Sequence, residues 1–148
     1  MLAVVQRVSQ AQVSINNKIT AKIGLGFVIL LGVIQTDTDK DLDYLVKKVS
    51  QLRIMADDQN KMNLALKDVN GQVLVIPQFT LAANTKKGNR PSFAKAADPQ
   101  LGKKYFQDFV NQLQATGLKV VTGKFASYMQ VNLTNDGPVT IIIDSKNK

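Results

Sequence analysis

The chain has 148 residues, 45% of them apolar and 20% charged, enough for one domain with a real hydrophobic core. Nineteen Lys and Arg against eleven Asp and Glu leave a net charge of +8, which points to a polyanionic partner such as nucleic acid, or to solubility alone. With no histidine and no cysteine, Ser-His-Asp, Cys-His and histidine-zinc chemistry are excluded, as is a disulfide framework.

Leu2 to Val8 is apolar and β-branched and predicts a first strand. Gln12 to Ile15 and Lys18 to Ile23 alternate around an Asn16-Asn17 turn and predict a hairpin. Gly24-Leu25-Gly26 punctuates before Phe27 to Leu31, a run suited to a strand buried on both faces. Even extended to Ile34 that run is too short to span a bilayer, and the first residues carry no secretory signal, so a cytoplasmic protein with no membrane partner is expected. A helix follows, capped by Asp37 or Thr38, with Leu42, Leu45, Val46, Val49 and Leu52 on one face. Asp57 and Asp58 are the one evident carboxylate pair for a magnesium ion, but Asp57-Asp58-Gln59-Asn60-Lys61 reads as a polar turn, and no metal or cofactor is expected.

Val73 to Ile76 predicts the next strand, and it delivers Pro77-Gln78-Phe79-Thr80-Leu81 at its end. A basic loop over 83–92 carries Lys86, Lys87 and Arg90. The second helix has Asp98 as N-cap, Pro99 in the first position and Gly117 as its stop, and it buries Leu101, Tyr105, Phe106, Phe109, Val110 and Leu113. Tyr128 to Leu133 and Val139 to Ile143 predict two closing strands joined by a turn at Asn135-Asp136-Gly137-Pro138, with Lys146 and Lys148 in a solvated tail. The elements add up to one α+β domain over residues 1–148, a mostly antiparallel sheet or barrel-like core with two main helices.

Three places stand apart from this scaffold. A polar stretch leaving a buried strand at Pro77 to Leu81 leaves main-chain N–H groups free to face a ligand, as in an oxyanion hole; alternatively Gln78 and Thr80 only satisfy backbone groups at a strand end. Thr80 is a weak nucleophile without a base beside it. Gly137-Pro138 stands before an apolar strand, where the base rate for X–Pro bonds predicts trans. Arg7, inside an apolar strand, either faces solvent or reaches inward to a fixed carbonyl or carboxylate.

These residues resemble the D-aminoacyl-tRNA deacylase family. The resemblance runs through Ala3-Val4-Val5-Gln6-Arg7-Val8, Lys61-Met62-Asn63-Leu64, Gln78-Phe79-Thr80-Leu81, Lys87-Gly88-Asn89-Arg90-Pro91-Ser92-Phe93 and Asn135-Asp136-Gly137-Pro138-Val139-Thr140. It implies a homodimeric, cofactor-independent hydrolase acting on the 3′ end of aminoacyl-tRNA in translation quality control. Catalysis would fall to Gln78, Phe79 and Thr80, with backbone N–H groups holding the oxyanion and the ribose 2′-hydroxyl assisting water. A cis Gly137-Pro138 pair would enter the partner's pocket, held by Arg7, and reject L-amino acids while glycyl-tRNA leaks through. Ala126 and Met129, within the segment from Gly123, would help receive the terminal adenosine, and Lys86, Lys87 and Arg90 would contact phosphates.

The chain departs from the family's pattern at Pro77, where serine is usual, and at Phe125-Ala126-Ser127, where Phe-Gly-Ala is usual. A related branch acting on certain L-aminoacyl-tRNAs also carries proline at the first position, though its other motif residues differ from Phe79 and Val139-Thr140. A deacylase of relaxed or L-type specificity is therefore one alternative, and a non-catalytic RNA-binding module is the other.

Overall fold

Strand β1 (Leu2–Ile15) is the axis of the molecule, because every long strand nearby either pairs with it or with its neighbour β3. The computed structural model describes residues 1–86 and 88–147. On one side β1 pairs with β3 (Gly26–Gly32) through residues 2–8 and with β2 (Lys18–Ile23) through residues 11–15; on the other it pairs with β8 (Gln130–Asp144) along almost its whole length. Beyond β3 the sheet turns parallel, with β6 (Gln72–Pro77) beside β3 and β7 (Lys119–Thr122) beside β6. A small antiparallel pair, β4 (Met55–Ala56) and β5 (Met62–Leu64), stands apart.

The parallel pair explains itself from sequence. In β3, Phe27, Ile29 and Leu31 join one core cluster and Val28 the other; in β6, Val73 and Val75 join the first, Leu74 and Ile76 the second. A strand that is apolar at every position needs cover on both faces, and a central parallel position supplies it. The first cluster lies under α1 (Asp39–Gln51) and α2 (Pro99–Ala115), which contribute Leu42, Leu45, Val49, Phe106, Phe109 and Leu113. Asp98 caps α2, its carboxylate accepting from the N–H groups of Gln100 (2.9 Å) and Leu101 (3.0 Å).

Two expectations are corrected here. Residues 2–8 and 12–15 form one strand, not two, and so do residues 130–144, with no turn at Asn135 to Pro138. The two strands run alongside each other, and both irregularities fall together: the register shifts between Gln6 and Val8 and again between Val8 and Gln10, opposite residues 135–140. Paired bulges break the period-two pattern that marks a strand without ending the strand.

The tail is not a loose end either. Lys146 Nζ donates to Asp41 Oδ2 (2.7 Å) and to the Thr36 carbonyl (2.8 Å), and Ser145 Oγ donates to Asp41 Oδ1 (2.8 Å). The Met1 α-amino group donates to Asp37 (2.5 Å), and Thr38, the N-cap of α1, donates to Asp41 through its N–H (2.9 Å) and its hydroxyl (2.8 Å). A buried carboxylate at Asp41 is affordable only with such company. Lys148 lies outside the described residues.

Burial by itself raises the Asp41 carboxyl, but hydrogen bonds from Lys146, Thr38 and Ser145 outweigh it and hold the group well below its ordinary value of 3.8. A carboxyl depressed in the fold stabilises fully above its unfolded value, and that contribution is lost as the pH falls through the folded one. Asp41→Asn is accordingly expected to cost about 1–2 kcal/mol near neutrality. Its deficit in Tm against the wild type should shrink in acid below the ordinary carboxyl range, read from thermal melts between pH 7 and pH 3. A deficit independent of pH would assign the loss to packing. Among the described residues, no helix is long and apolar enough to cross a membrane.

Candidate active site

The parallel strands β3 and β6 end together, and ligands in such sheets bind beyond the carboxyl ends. The Gln78 N–H donates to the Leu31 carbonyl (2.8 Å) as the last rung on one side, and the Gly123 N–H donates to Val75 (2.9 Å) on the other. Pro77 sits between these rungs and has no N–H to extend the ladder. The chain leaves the sheet there and tightens into a 3-10 turn over Phe79–Ala82. Gly32 permits this close approach: a Cβ there would lie 3.0 Å from Leu81 Cβ and 3.1 Å from the Gln78 carbonyl oxygen.

A turn of this kind leaves its first donors without an internal acceptor. The N–H groups of Phe79 and Thr80 make no hydrogen bond among the described residues. The Gln78 side-chain amide donates to the Thr80 hydroxyl, so the two polar side chains meet each other across the turn. The Phe79 ring, 58% exposed, meets the Phe93 ring edge-on with centroids 5.3 Å apart.

Beside the turn opens an apolar cavity of about 320 Å³. Leu31, Val33, Pro77, Gln78 and Phe79 form its sheet side, Ala97, Pro99, Gly102 and Phe106 its helix side, and Phe125 and Ala126 close it. The Phe125 and Phe106 rings meet at a tilt of 49° with centroids 6.1 Å apart, and Gly102 leaves room for Phe125 to lie against α2. Ala126 takes a left-handed φ of 54°. Met129 is not part of the wall; its Sδ accepts the Lys124 N–H at 3.3 Å. Thr80 is also outside the wall and exposed.

Arg7 turns inward. Its side chain is 11% exposed, Nε donates to the Asp136 carbonyl (2.9 Å), Nη1 donates to the Ile54 carbonyl (2.7 Å), and the Asp136 carboxylate lies 3.2 Å from Nε. Arg7 therefore ties the bulged stretch of β8 to the segment entering β4. The Gly137-Pro138 bond within that stretch is cis, against the base-rate expectation and in keeping with the resemblance.

One chain does not bring this pair to the Gln78–Thr80 turn. Arg7 is level with Phe27 in β3, whereas the turn hangs from Leu31, about 13 Å further along at the usual strand rise. The pair is carried on β8 and the turn on β6, with β1 and β3 between them, a lateral separation of about 14 Å.

The profile of the D-Tyr-tRNA(Tyr) deacylase family matches residues 4–144. The chain belongs to that family. It is 55% identical to the D-aminoacyl-tRNA deacylase of Lacticaseibacillus casei (strain BL23), with the whole of both chains covered. It is 53% identical to the protein of the same name from Flavobacterium psychrophilum, over 100% of this chain and 99% of that one. Among solved structures it superposes on the c-Myc DNA Unwinding Element Binding Protein with a TM-score of 0.92 and 38% identity, covering 97% of this chain and 98% of the other. A probable eukaryotic D-amino acid tRNA deacylase, at 16% identity and a TM-score of 0.83, shares the fold over 96% of this chain and 97% of its own.

The remaining expected deacylase residues lie on the loop that follows the turn. Lys86 and Arg90 are exposed there; Asn84 and Ser92 exchange main-chain hydrogen bonds (2.8 and 3.0 Å) that close the loop at its base, and Asn84 Oδ1 accepts the Lys86 N–H (3.0 Å). Lys87 lies outside the described residues. Asp57 accepts from the Gln59 and Lys61 N–H groups (both 2.9 Å) and from Asn63 Nδ2 (2.7 Å), so its oxygens are engaged in the turn. Among the described residues no group of three or more acidic side chains is placed to hold a metal. Sequence reasoning missed most of the helix side of the cavity. Ala97, Pro99 and Gly102 carry no chemical signature and are joined to the turn only by the packing of α2.

Proposed function

We propose that this chain hydrolyses the ester joining a D-amino acid to the 3′ end of tRNA. The full-length identity to relatives named D-aminoacyl-tRNA deacylase carries the reaction class. The geometry supports a mechanism without a side-chain base. Water attacks the ester carbonyl, its proton passing by way of the ribose 2′-hydroxyl, and the carbonyl electrons move onto oxygen. The N–H groups of Phe79 and Thr80, unpaired at the lip of the cavity, receive that oxyanion. As the carbonyl re-forms, the ribose 3′-oxygen leaves and takes up a proton, giving free amino acid and tRNA.

The apolar cavity suits the terminal adenosine, its base lying against Phe125 and the α2 side beside Ala126, while Met129 acts only indirectly, by holding the Lys124 main chain next to Phe125. Lys86 and Arg90 are free to meet backbone phosphates. Selection belongs to a homodimer. The carbonyls of the partner subunit's Gly137 and the partner subunit's Pro138 face the substrate's α-carbon, accept hydrogen or a D side chain on the open side, and collide with an L side chain. The distance between pair and turn within one chain supports this crossed arrangement, and Arg7 fixes the pair's height by holding Asp136. Glycine has no side chain to collide, so glycyl-tRNA is also a substrate.

Single-turnover hydrolysis of D-tyrosyl-, L-tyrosyl- and glycyl-tRNA tests the reading. Cleavage of the D and glycyl esters, with the L ester left intact, is the expected result. Cleavage of the L ester at a comparable rate overturns the selection, and tRNA binding without any cleavage overturns the reaction. Because backbone donors do the work, Thr80→Ala should keep its rate within about tenfold of wild type, the loss expected when one neutral hydrogen bond to Gln78 goes. Complete loss, with the fold and tRNA binding intact, would assign the hydroxyl a chemical role.

A further inference from the structure

Two residues of opposite charge adjoin the cavity lining: Lys124, next to Phe125, and Asp98, between Ala97 and Pro99. Lys124 sits between Gly123, whose N–H closes the last β6–β7 rung, and Phe125 in the cavity wall, so its main chain is anchored on both sides. It is exposed, and no carboxylate lies within ion-pairing distance of it among the described residues. Its N–H donates only to the thioether of Met129, at 3.3 Å. A thioether is a weak acceptor, so this exposed donor is available to a better one. On the helix side, between the lining residues Ala97 and Pro99, the Asp98 carboxylate already takes the first N–H groups of α2 and brings a negative charge there.

We infer that Lys124 anchors the 5′-phosphate of the terminal nucleotide, with its ammonium and its main-chain N–H converging on one phosphate. This rests on the reading that the adenosine occupies the cavity. An adenosine with its base against Phe125 carries its 5′-phosphate one ribose away, within reach of a long side chain adjoining Phe125, and of the two flanking charges only that of Lys124 attracts it. Lys86 and Arg90, carried on a surface loop, meet phosphates further along the strand; Lys124 is fixed to the sheet and sets the position of the reacting nucleotide itself. It is a positioning residue, acting on the ester only through where the nucleotide lies.

The test uses the full chain and two probes: a non-hydrolysable 3′-amide analogue of D-tyrosyl-adenosine, with and without a 5′-monophosphate. Wild type should bind the phosphorylated probe about tenfold more tightly, the difference expected of one charge-assisted contact. Lys124→Ala should lose most of that preference while its affinity for the unphosphorylated probe stays within about twofold. Lys124→Arg should restore it, and added salt should weaken binding of the phosphorylated probe less in the alanine variant than in wild type. Lys67→Ala, before β6 at the far end of the sheet, should leave the preference unchanged. A preference that survives in Lys124→Ala overturns the inference, as do equal losses on both probes, which a merely structural role would give. If neither probe binds the wild type, the adenosine reading fails and this inference falls with it.

Discussion

Gly137→Ala is expected to lower kcat/KM for a D-aminoacyl-tRNA by about 10²-fold while leaving a folded protein. Gly137 has a φ of 129°, which an L side chain rarely adopts. A Cβ there would stand 2.8 Å from Val139 Cγ2, 3.0 Å from the Val139 nitrogen and 3.2 Å from Arg7 Nη2. The valine methyl can turn away, but the nitrogen belongs to the strand, and Arg7 is held at Asp136 and Ile54. The backbone therefore has to move, at a cost of about 1–3 kcal/mol. Since the strand on either side is paired with β1, the displacement is confined to the bulged stretch and the fold survives. A carbonyl that selects by collision loses its selectivity when it shifts by a fraction of an ångström, so the ratio of D to L hydrolysis should also narrow. Single-turnover rates on both tyrosyl esters, set beside a thermal melt, measure the two effects separately. Full activity with unchanged selectivity would remove the pair from the mechanism.

How much of this was legible beforehand varied with the kind of signal. Helix α2 announces itself through Asp98, Pro99 and the spacing of Tyr105, Phe106, Phe109 and Leu113, because caps and periodicity are local properties. The double burial of β3 was equally plain from an unbroken apolar run. By contrast, β1 and β8 read as broken strands because their bulges interrupt the alternation, and only their mutual pairing makes them continuous. Lys146 read as a frayed end because its partners, Asp41 and Thr36, are distant in sequence. At the site, Pro77 to Leu81 stood out by its polarity after a buried strand, and free main-chain donors were one of two readings there; the choice between them depends on Pro77 ending the ladder where β7 also departs. Arg7 was recognisable as an anomaly, while the choice between solvent and interior rested on the Ile54 and Asp136 carbonyls, which the sequence does not place.

Those two carbonyls set the second large effect. Arg7→Ala removes two charge-assisted hydrogen bonds and leaves both acceptors in a space that the guanidinium filled, at an expected cost of about 2–4 kcal/mol. Arg7→Lys keeps a charge beside Asp136, but a single ammonium cannot repeat a fork spanning two carbonyls from different segments, so it should recover stability more than rate. If the selecting pair works in the partner's cavity, the defect is also transferable between subunits. Phe79→Pro removes one of the two unpaired donors at a first-turn position that tolerates proline, and it damages the turn while sparing the pair. Each variant alone should be nearly inactive, Arg7→Ala because the released pair shifts into the space the substrate's α-carbon needs, and Phe79→Pro because an oxyanion donor is gone. Co-assembled in equal amounts, half of the dimers are mixed, and one of the two sites in each mixed dimer draws an intact turn from the Arg7→Ala chain and an intact pair from the other. Activity should then return to about a quarter of wild type. If both elements served the same chain's site, no mixture would recover anything. The complementation therefore separates a crossed site from a self-contained one, whatever the absolute size of either defect.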